Sequence, residues 1–140
     1  MNFFDYETRV RYAETDRMGI TYYANYLVWF EVARTEYFRA LGFCYADFEK
    51  QGFFLPVAEV QCRYFRSSAY DDFITVRAIV SQMKRSTIRF EYQVFKNKEE
   101  KVIASGYTVH IFCGGPNLNP VRIPEALRSK VEIAAFEAKL

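Results

Sequence analysis

The stretch Tyr12–Glu31, Y-A-E-T-D-R-M-G-I-T-Y-Y-A-N-Y-L-V-W-F-E, decides the reading of this chain. Its first half is polar and turn-forming around Thr15, Asp16 and Gly19, and its second half opens a long aromatic-rich run. From about Ala24 to Leu41 the apolar spacing is helical. Tyr26, Phe30, Ala33, Tyr37 and Leu41 make one stripe, which Leu27, Trp29 and Val32 widen, and Gly42 is a natural stop. At ~1.5 Å per residue this helix is about 25 Å long, and its apolar girth predicts enclosure by a sheet. Asp16 is therefore presented on a turn just ahead of a helix N-terminus. Amides at such an end can polarise a carbonyl while the carboxylate attacks it or activates a water. That pairing suits acyl transfer without a Ser-His pair or a metal.

Outward from this segment the period changes to two. Glu7, Arg9, Arg11 and Ala13 alternate with Thr8, Val10 and Tyr12, predicting a first strand over Glu7–Ala13. A short helical segment, Tyr45–Lys50, ends near Gly52. Ala58, Val60, Cys62 and Tyr64 then alternate with Glu59, Gln61 and Arg63. Asp71-Asp72 opens a strand with Ile74, Val76, Ala78 and Val80 on one face, and Lys84-Arg85-Ser86 turns the chain into Ile88, Phe90, Tyr92 and Val94. After the polar connection Asn97–Lys101, a last long strand over Ile103–Ile111 ends at Gly114-Gly115-Pro116. Pro124 can occupy the first turn of a helix running towards the C-terminus. The order predicts an α+β plan, an antiparallel sheet wrapped on one central helix, as a single domain over residues 1–140.

Composition narrows the classes. With 14 Phe, 11 Tyr and 51% hydrophobic residues among 140, the chain can build a substantial core, which argues against global disorder. A formal charge of +2 is too small to point to nucleic acid. No run approaches the ~18 apolar residues of a membrane span, and the N-terminus lacks a signal-peptide apolar region, so cytoplasmic residence is the default expectation. Cys44, Cys62 and Cys113 are odd in number and far apart, with one histidine, His110, in the chain. They read as buried thiols in a reducing compartment, the alternative being a nucleophilic cysteine served by His110. No metal-ligand spacing occurs, and neither a metal nor a cofactor is expected.

The segment R-Y-A-E-T-D-R-M-G-I-T-Y-Y-A-N-Y-L-V-W-F-E-V-A-R-T-E-Y resembles the N-terminal motif of hotdog-fold acyl-CoA thioesterases. It is most similar to the 4-hydroxybenzoyl-CoA thioesterase family and its Tol-Pal-linked YbgC branch. The likeness continues through R-Y-F-R-S-S-A-Y-D-D-F-I-T-V and A-S-G-Y-T-V-H-I-F and covers nearly the whole chain. It implies hydrolysis of an acyl-CoA thioester to a free acid and coenzyme A. Asp16 matches the catalytic carboxylate, as nucleophile or general base. Tyr23 falls where the family helix begins, so its backbone amide would meet the thioester oxygen. Gly19 matches the glycine that folds the loop against that helix, and Tyr12 matches a tyrosine of the YbgC branch. The resemblance also implies a homodimer or homotetramer with sites at subunit interfaces, and a peripheral link to membrane-associated lipid metabolism. Two positions depart from the pattern. Tyr23 stands where the YbgC branch usually carries histidine, and Ser68 stands where proline is commoner, which should affect strand entry more than chemistry.

Other candidates carry two readings. Lys84, Arg85 and Ser86, with Arg63 and Arg66, are either a clamp for the coenzyme A phosphates or solvated surface. Tyr22, Tyr26 and Trp29 read as core, or as a stacking platform for substrate in which Tyr22 takes part. Asn25 either orients the helix start or contacts substrate. Glu31 and Arg34, three apart on the helix, read as an ion pair. A second apolar face on the final strand is a candidate subunit surface. Rival functions are hydration or dehydration of an acyl chain on the same fold, and non-catalytic binding of an acyl group or protein partner.

Overall fold

Tyr26, Trp29, Phe30, Ala33, Tyr37 and Phe38 form the buried face of α1 (Asn25–Ala40), the helix that the aromatic run predicts. The computed structural model describes residues 1–137. Gly42 ends α1 as expected, with φ +92° and with the Gly42 and Phe43 amides turned back to the Arg39 and Phe38 carbonyls at 3.0 and 2.9 Å. Leu27 falls on the other flank and is exposed, because the sheet covers the helix from one side. The short helix α2 spans Tyr45–Lys50, as its sequence suggests.

Five strands make the sheet: β1 (Phe4–Arg9), β2 (Val57–Tyr64), β3 (Phe73–Met83), β4 (Thr87–Lys96) and β5 (Ala104–Ile111). They are antiparallel throughout, in the order β1-β3-β4-β5-β2, so β1 and β2 are the edges. The period-two residues Ile74, Val76, Ala78 and Val80 of β3 and Ile88, Phe90, Tyr92 and Val94 of β4 are all buried. Each large apolar side chain so enclosed contributes roughly 1.5–3 kcal/mol. The helix meets the sheet at Phe30, whose ring lies flat on Tyr92 with 4.2 Å between ring centroids and 5° between planes. Gly106 pairs with Tyr92 on one side and Cys62 on the other. A β-carbon there would strike the Gln61 carbonyl and stand 2.9 Å from the Phe30 ring, so the strand needs glycine at that point.

Two expectations change. The first strand ends at Arg9 instead of Ala13, because the Arg11 amide bonds the Glu14 carboxylate at 2.9 Å and Tyr12–Glu14 coil into a 3₁₀ turn. The C-terminal helix α3 is one turn, Glu125–Arg128, with Pro124 as its N-cap; the following chain runs extended and bonds Val80 through the Ala134 amide at 2.9 Å. The outer face of β5 carries half-buried Val109 and Ile111 beside Tyr107. There Tyr107 donates to Glu59 at 2.7 Å beneath the Arg89 guanidinium, while exposed apolar groups lie on β2 and its flank, at Val57, Val60, Tyr64 and Phe65. A two-stranded ribbon, β6 (Cys113–Gly114) with β7 (Asn119–Pro120), follows β5. No helix among the described residues is long and apolar enough to cross a membrane.

A directional chain of hydrogen bonds runs through the core. The Leu55 carbonyl can only accept, so His110 Nδ1 carries the proton of their 3.0 Å bond. Nε2 then accepts from Thr108 Oγ1 at 2.9 Å, and Thr108 accepts from the Tyr92 hydroxyl at 2.6 Å. Burial, with the nearby Arg34 guanidinium, pulls His110 down to about 4, against the opposing Leu55 hydrogen bond. A folded-state value below the unfolded one means that unfolding takes up a proton between pH 6.5 and about 4, so stability falls as pH falls through that window. Urea titrations should show a loss approaching ~1.4 kcal/mol per pH unit there. In His110→Gln that dependence should flatten, and an equally steep loss in the variant would assign it to another group.

Candidate active site

The loop between the 3₁₀ turn and α1 closes on itself. Its two sides meet in a bridge between Thr15 and Thr21, the Asp16 amide bonds the Ile20 carbonyl at 2.9 Å, and the Gly19 amide bonds the Asp16 carbonyl at 3.0 Å. Gly19 sits at φ +78°, which a side chain would strain. The Asp16 carboxylate accepts the Met18 amide through Oδ1 at 2.8 Å, the local bond that suits aspartate to such turns. Its Oδ2 has no protein partner among the described residues, and the side chain is half-exposed.

Helix α1 begins without a side-chain cap. Ala24 occupies that position in a helical conformation, and the amides of Asn25 and Tyr26 turn back to Tyr22 and Tyr23 at 2.9 and 3.3 Å. The Tyr23 and Ala24 amides have no acceptor among the described residues, as expected of a helix start. Asp16 and Tyr23 open onto the same cleft of about 290 Å³, with Met18, Thr21, Tyr26, Tyr64, Phe65 and Arg66 among its walls. A residue with a free carboxylate oxygen and a residue with an unpaired amide at the positive end of a helix dipole thus line one cleft, together with the Arg66 guanidinium, which can meet an anionic ligand. Among the described residues no three His, Cys, Asp or Glu side chains gather as metal ligands.

Two clamps hold the loop. On one side, the Glu14 carbonyl accepts the Tyr22 amide at 2.7 Å and Asn25 Nδ2 at 2.9 Å. On the other, Ser68 is 1% exposed and its hydroxyl meets Thr21 Oγ1 at 2.6 Å and the Tyr26 hydroxyl at 2.9 Å, while its carbonyl accepts the Thr21 amide at 2.8 Å. Ser68 therefore does more than shape strand entry: it ties β3's approach to the loop and to α1. Tyr64, on the edge strand, donates to the Tyr23 carbonyl at 2.9 Å and sets its ring edge-on to Tyr26. Burial raises the Tyr26 and Tyr64 hydroxyls above their ordinary range, so both remain protonated donors.

The other sequence candidates lie as follows. Tyr12 is exposed and stacks on Tyr70 at 3.7 Å, outside the cleft. Tyr22 is exposed rather than in the core, and its hydroxyl is raised by a hydrogen bond with Tyr23. Asn25 faces the Glu14 carbonyl and orients the helix start. Lys84, Arg85 and Ser86 form the far end of the β3–β4 hairpin, where the Lys84 and Arg85 carbonyls accept from Arg128. At ~3.3 Å per residue, the length of β3 puts them roughly 33 Å from the Asp16 end of the sheet, so one subunit does not bring them to the cleft. Glu31 and Arg34 do not pair among the described residues; Arg34 turns towards Tyr45, Tyr92 and His110 and lines a second cavity of about 620 Å³. Cys44 and Cys62 are half-buried and Cys113 is buried, all three free, and the His110 ring is engaged by Leu55 and Thr108 rather than by a thiol. Sequence reading missed Glu14, Tyr64 and the bonding of Ser68; the acidic residue two before Asp16 and the polar break before Asp71-Asp72 were the available signals.

Residues 10–131 match the model of the thioesterase-like superfamily. The chain belongs to that superfamily. Acyl-CoA thioesterase YbgC of Haemophilus influenzae is 34% identical over 130 residues, 91% of this chain and 93% of that protein. YneP of Bacillus subtilis is 34% identical over 120 residues, 86% of each chain. The solved DHNA-CoA thioesterase from Staphylococcus aureus is 38% identical, covers 87% of this chain and 81% of its own, and superposes with a TM-score of 0.82. The hotdog-fold expectation is met: five antiparallel strands wrapped on one long helix, as in these thioesterases.

Removing the Ser68 hydroxyl leaves the buried Tyr26 hydroxyl without its partner, a loss of about 1–3 kcal/mol, while Thr21 Oγ1 keeps the Ser68 carbonyl at 3.2 Å. Ser68→Ala should lower the urea unfolding free energy by that amount, and no change would mean that Tyr26 re-pairs elsewhere.

Proposed function

We propose that this thioesterase hydrolyses an acyl-CoA thioester, with Asp16 supplying the attack and the Tyr23 amide receiving the carbonyl oxygen. The observation that carries the reading is that Asp16, with one carboxylate oxygen free, and Tyr23, with its amide free, line a single cleft. If Asp16 acts as a nucleophile, its oxygen bonds the acyl carbon, coenzyme A leaves as the thiolate, and water cleaves the resulting anhydride. If it acts as a base, it takes a proton from the water that attacks. Both routes develop negative charge on the thioester oxygen, where a preorganised amide is worth roughly 3–4 kcal/mol. No side-chain acid is required of Tyr23, consistent with a tyrosine at that position.

The reading predicts that Asp16→Asn keeps the fold and lowers kcat by at least about a hundredfold, since the exchange removes the attacking group and little volume. Free thiol released from a panel of aliphatic and aromatic acyl-CoAs gives the measurement and the acyl preference together. Retention of more than about a tenth of the parent kcat would remove Asp16 from the mechanism. Absence of thiol release from every thioester would favour a binding role. Tyr23→Phe should change little, because the proposed donor is the backbone.

The functional unit in this reading is at least a dimer. Among the described residues β2 pairs with β5 alone, leaving its other edge free, and Val57, Val60 and Tyr64 on it are exposed. A free edge of eight residues that exposes Val57, Val60 and Tyr64 calls for covering. Two-fold antiparallel pairing of β2 with its copy would set the Tyr64 end of one strand beside the Val57 end of the other. The cleft of one subunit would then face the partner's Leu55, Pro56 and Arg34 wall, and the hairpin at Lys84–Ser86 has a route to the partner's coenzyme A. Light scattering should therefore show a mass at least twice 16.5 kDa. Val60→Lys should shift it towards the monomer with loss of turnover. An active 16.5 kDa species would overturn the shared site.

A further inference from the structure

Glu14 takes no part in the chemistry above, yet it is a carboxylate only 4% exposed, two residues from Asp16. One of its oxygens accepts the Arg11 amide at 2.9 Å and Arg11 Nε at 3.2 Å. The other accepts Trp29 Nε1 at 2.8 Å and Arg11 Nη2 at 3.4 Å. Burial alone would push the Glu14 carboxyl up, but the Arg11 and Trp29 donors outweigh it and hold it below the usual range. Only an ionised carboxylate offers acceptors to all four N–H groups.

The main chain of the same residue closes the neck of the loop, through the bonds of its carbonyl to the Tyr22 amide and the Asn25 side chain. Asp16 leaves that neck on one side and Tyr23 on the other. Trp29 lies one turn inside α1, so the side-chain bond couples the neck to the helix whose dipole points at the cleft. We propose that Glu14 is the positioning residue of this site: by gripping Trp29 and Arg11 it sets the separation of the Asp16 carboxylate from the Tyr23 amide. The inference rests on the assignment of Asp16 and Tyr23 given above. An aspartate, one methylene shorter, would not span to the indole, which gives glutamate a reason at this position.

Trp29 is the single tryptophan, so its indole N–H is one resolvable NMR signal that reports the contact directly. Glu14→Gln presents an NH₂ group towards donors and breaks the grip. In the full chain kcat should fall ~10–100-fold, since misplacement by about 1 Å has that order of effect. KM should stay within about threefold, the shape of the pH–rate profile should not change, and the indole signal should move upfield. Trp29→Phe should lower kcat similarly, and the double variant should be no worse than the poorer single one. A moved indole signal with unchanged kcat would overturn the proposal, leaving Glu14 a purely structural group. A displaced pH profile would overturn it in favour of proton transfer, and additive losses would overturn the shared action with Trp29. If Glu14→Gln does not fold, Trp29→Phe and Glu14→Asp carry the test with the same kinetic readout. Full activity in Asp16→Asn would instead sink the underlying assignment, a separate result from a silent Glu14.

Discussion

The seat of α1 in the sheet governs the rest of the molecule. Phe30 lies flat on Tyr92, and Gly106 opens the room for that ring where β5 passes beside β2. With Tyr37 and Phe38 of the same helix set edge-on to Phe90 of β4, the axis has little freedom to slide or rotate, because interiors packed at this density do not deform smoothly. The position of the helix N-terminus, and with it the direction of its dipole, is thus decided several residues downstream of any group that touches the cleft. A change at Gly106 or Phe30 would act on the site through the helix, not through chemistry.

Local bonding then has to place the loop relative to that fixed end. Residues 15–24 hold few backbone bonds of their own, and two clamps supply the missing constraints. Ser68 with Thr21 and Tyr26 fastens the loop to the start of β3 and to α1; Glu14 fastens its neck to Asn25 and Trp29. The clamps hold different residues, so neither duplicates the other. Tyr64 adds a third hold at the Tyr23 carbonyl, and because it belongs to an edge strand, that hold responds to whatever covers the edge.

Much of this fold was legible because its signals are periodic. The helical stripe from Tyr26, the alternation in β2 to β5 and the turn residues between strands each act locally and agree with one another. Asp16 and Gly19 were legible for the same reason, as a polar turn abutting an apolar helix. What could not be read was which particular groups bond to one another. The alternation of Arg9, Arg11 and Ala13 continues a strand pattern, but the bond from the Arg11 amide to Glu14 ends it. Ser68 looked like a strand-entry residue because its partners are 42 and 47 positions away. Arg34 looked like the mate of Glu31 on helix spacing alone, whereas the sheet offers Tyr92 and His110 to its inner side.

The buried polar residues argue for the same division of labour. They are Glu14, Thr21, Ser68, Thr108 and His110, and three of the five surround the Asp16 loop. Apolar substitutes of similar size would keep the helix seated, since burial is non-directional, and buried ion pairs replaced in this way often leave stability unchanged or raised. What they would lose is direction. A hydrogen bond fixes both distance and angle, and a satisfied network adds rigidity that contact area alone does not. The polar groups therefore sit where the fold needs geometry rather than cohesion: Thr108 and His110 brace Tyr92 against Leu55 under the helix, and Glu14, Thr21 and Ser68 hold the loop at its tip. The catalysis proposed for the Asp16 carboxylate and the Tyr23 amide depends on that geometry, because both must meet a single acyl carbon and its oxygen.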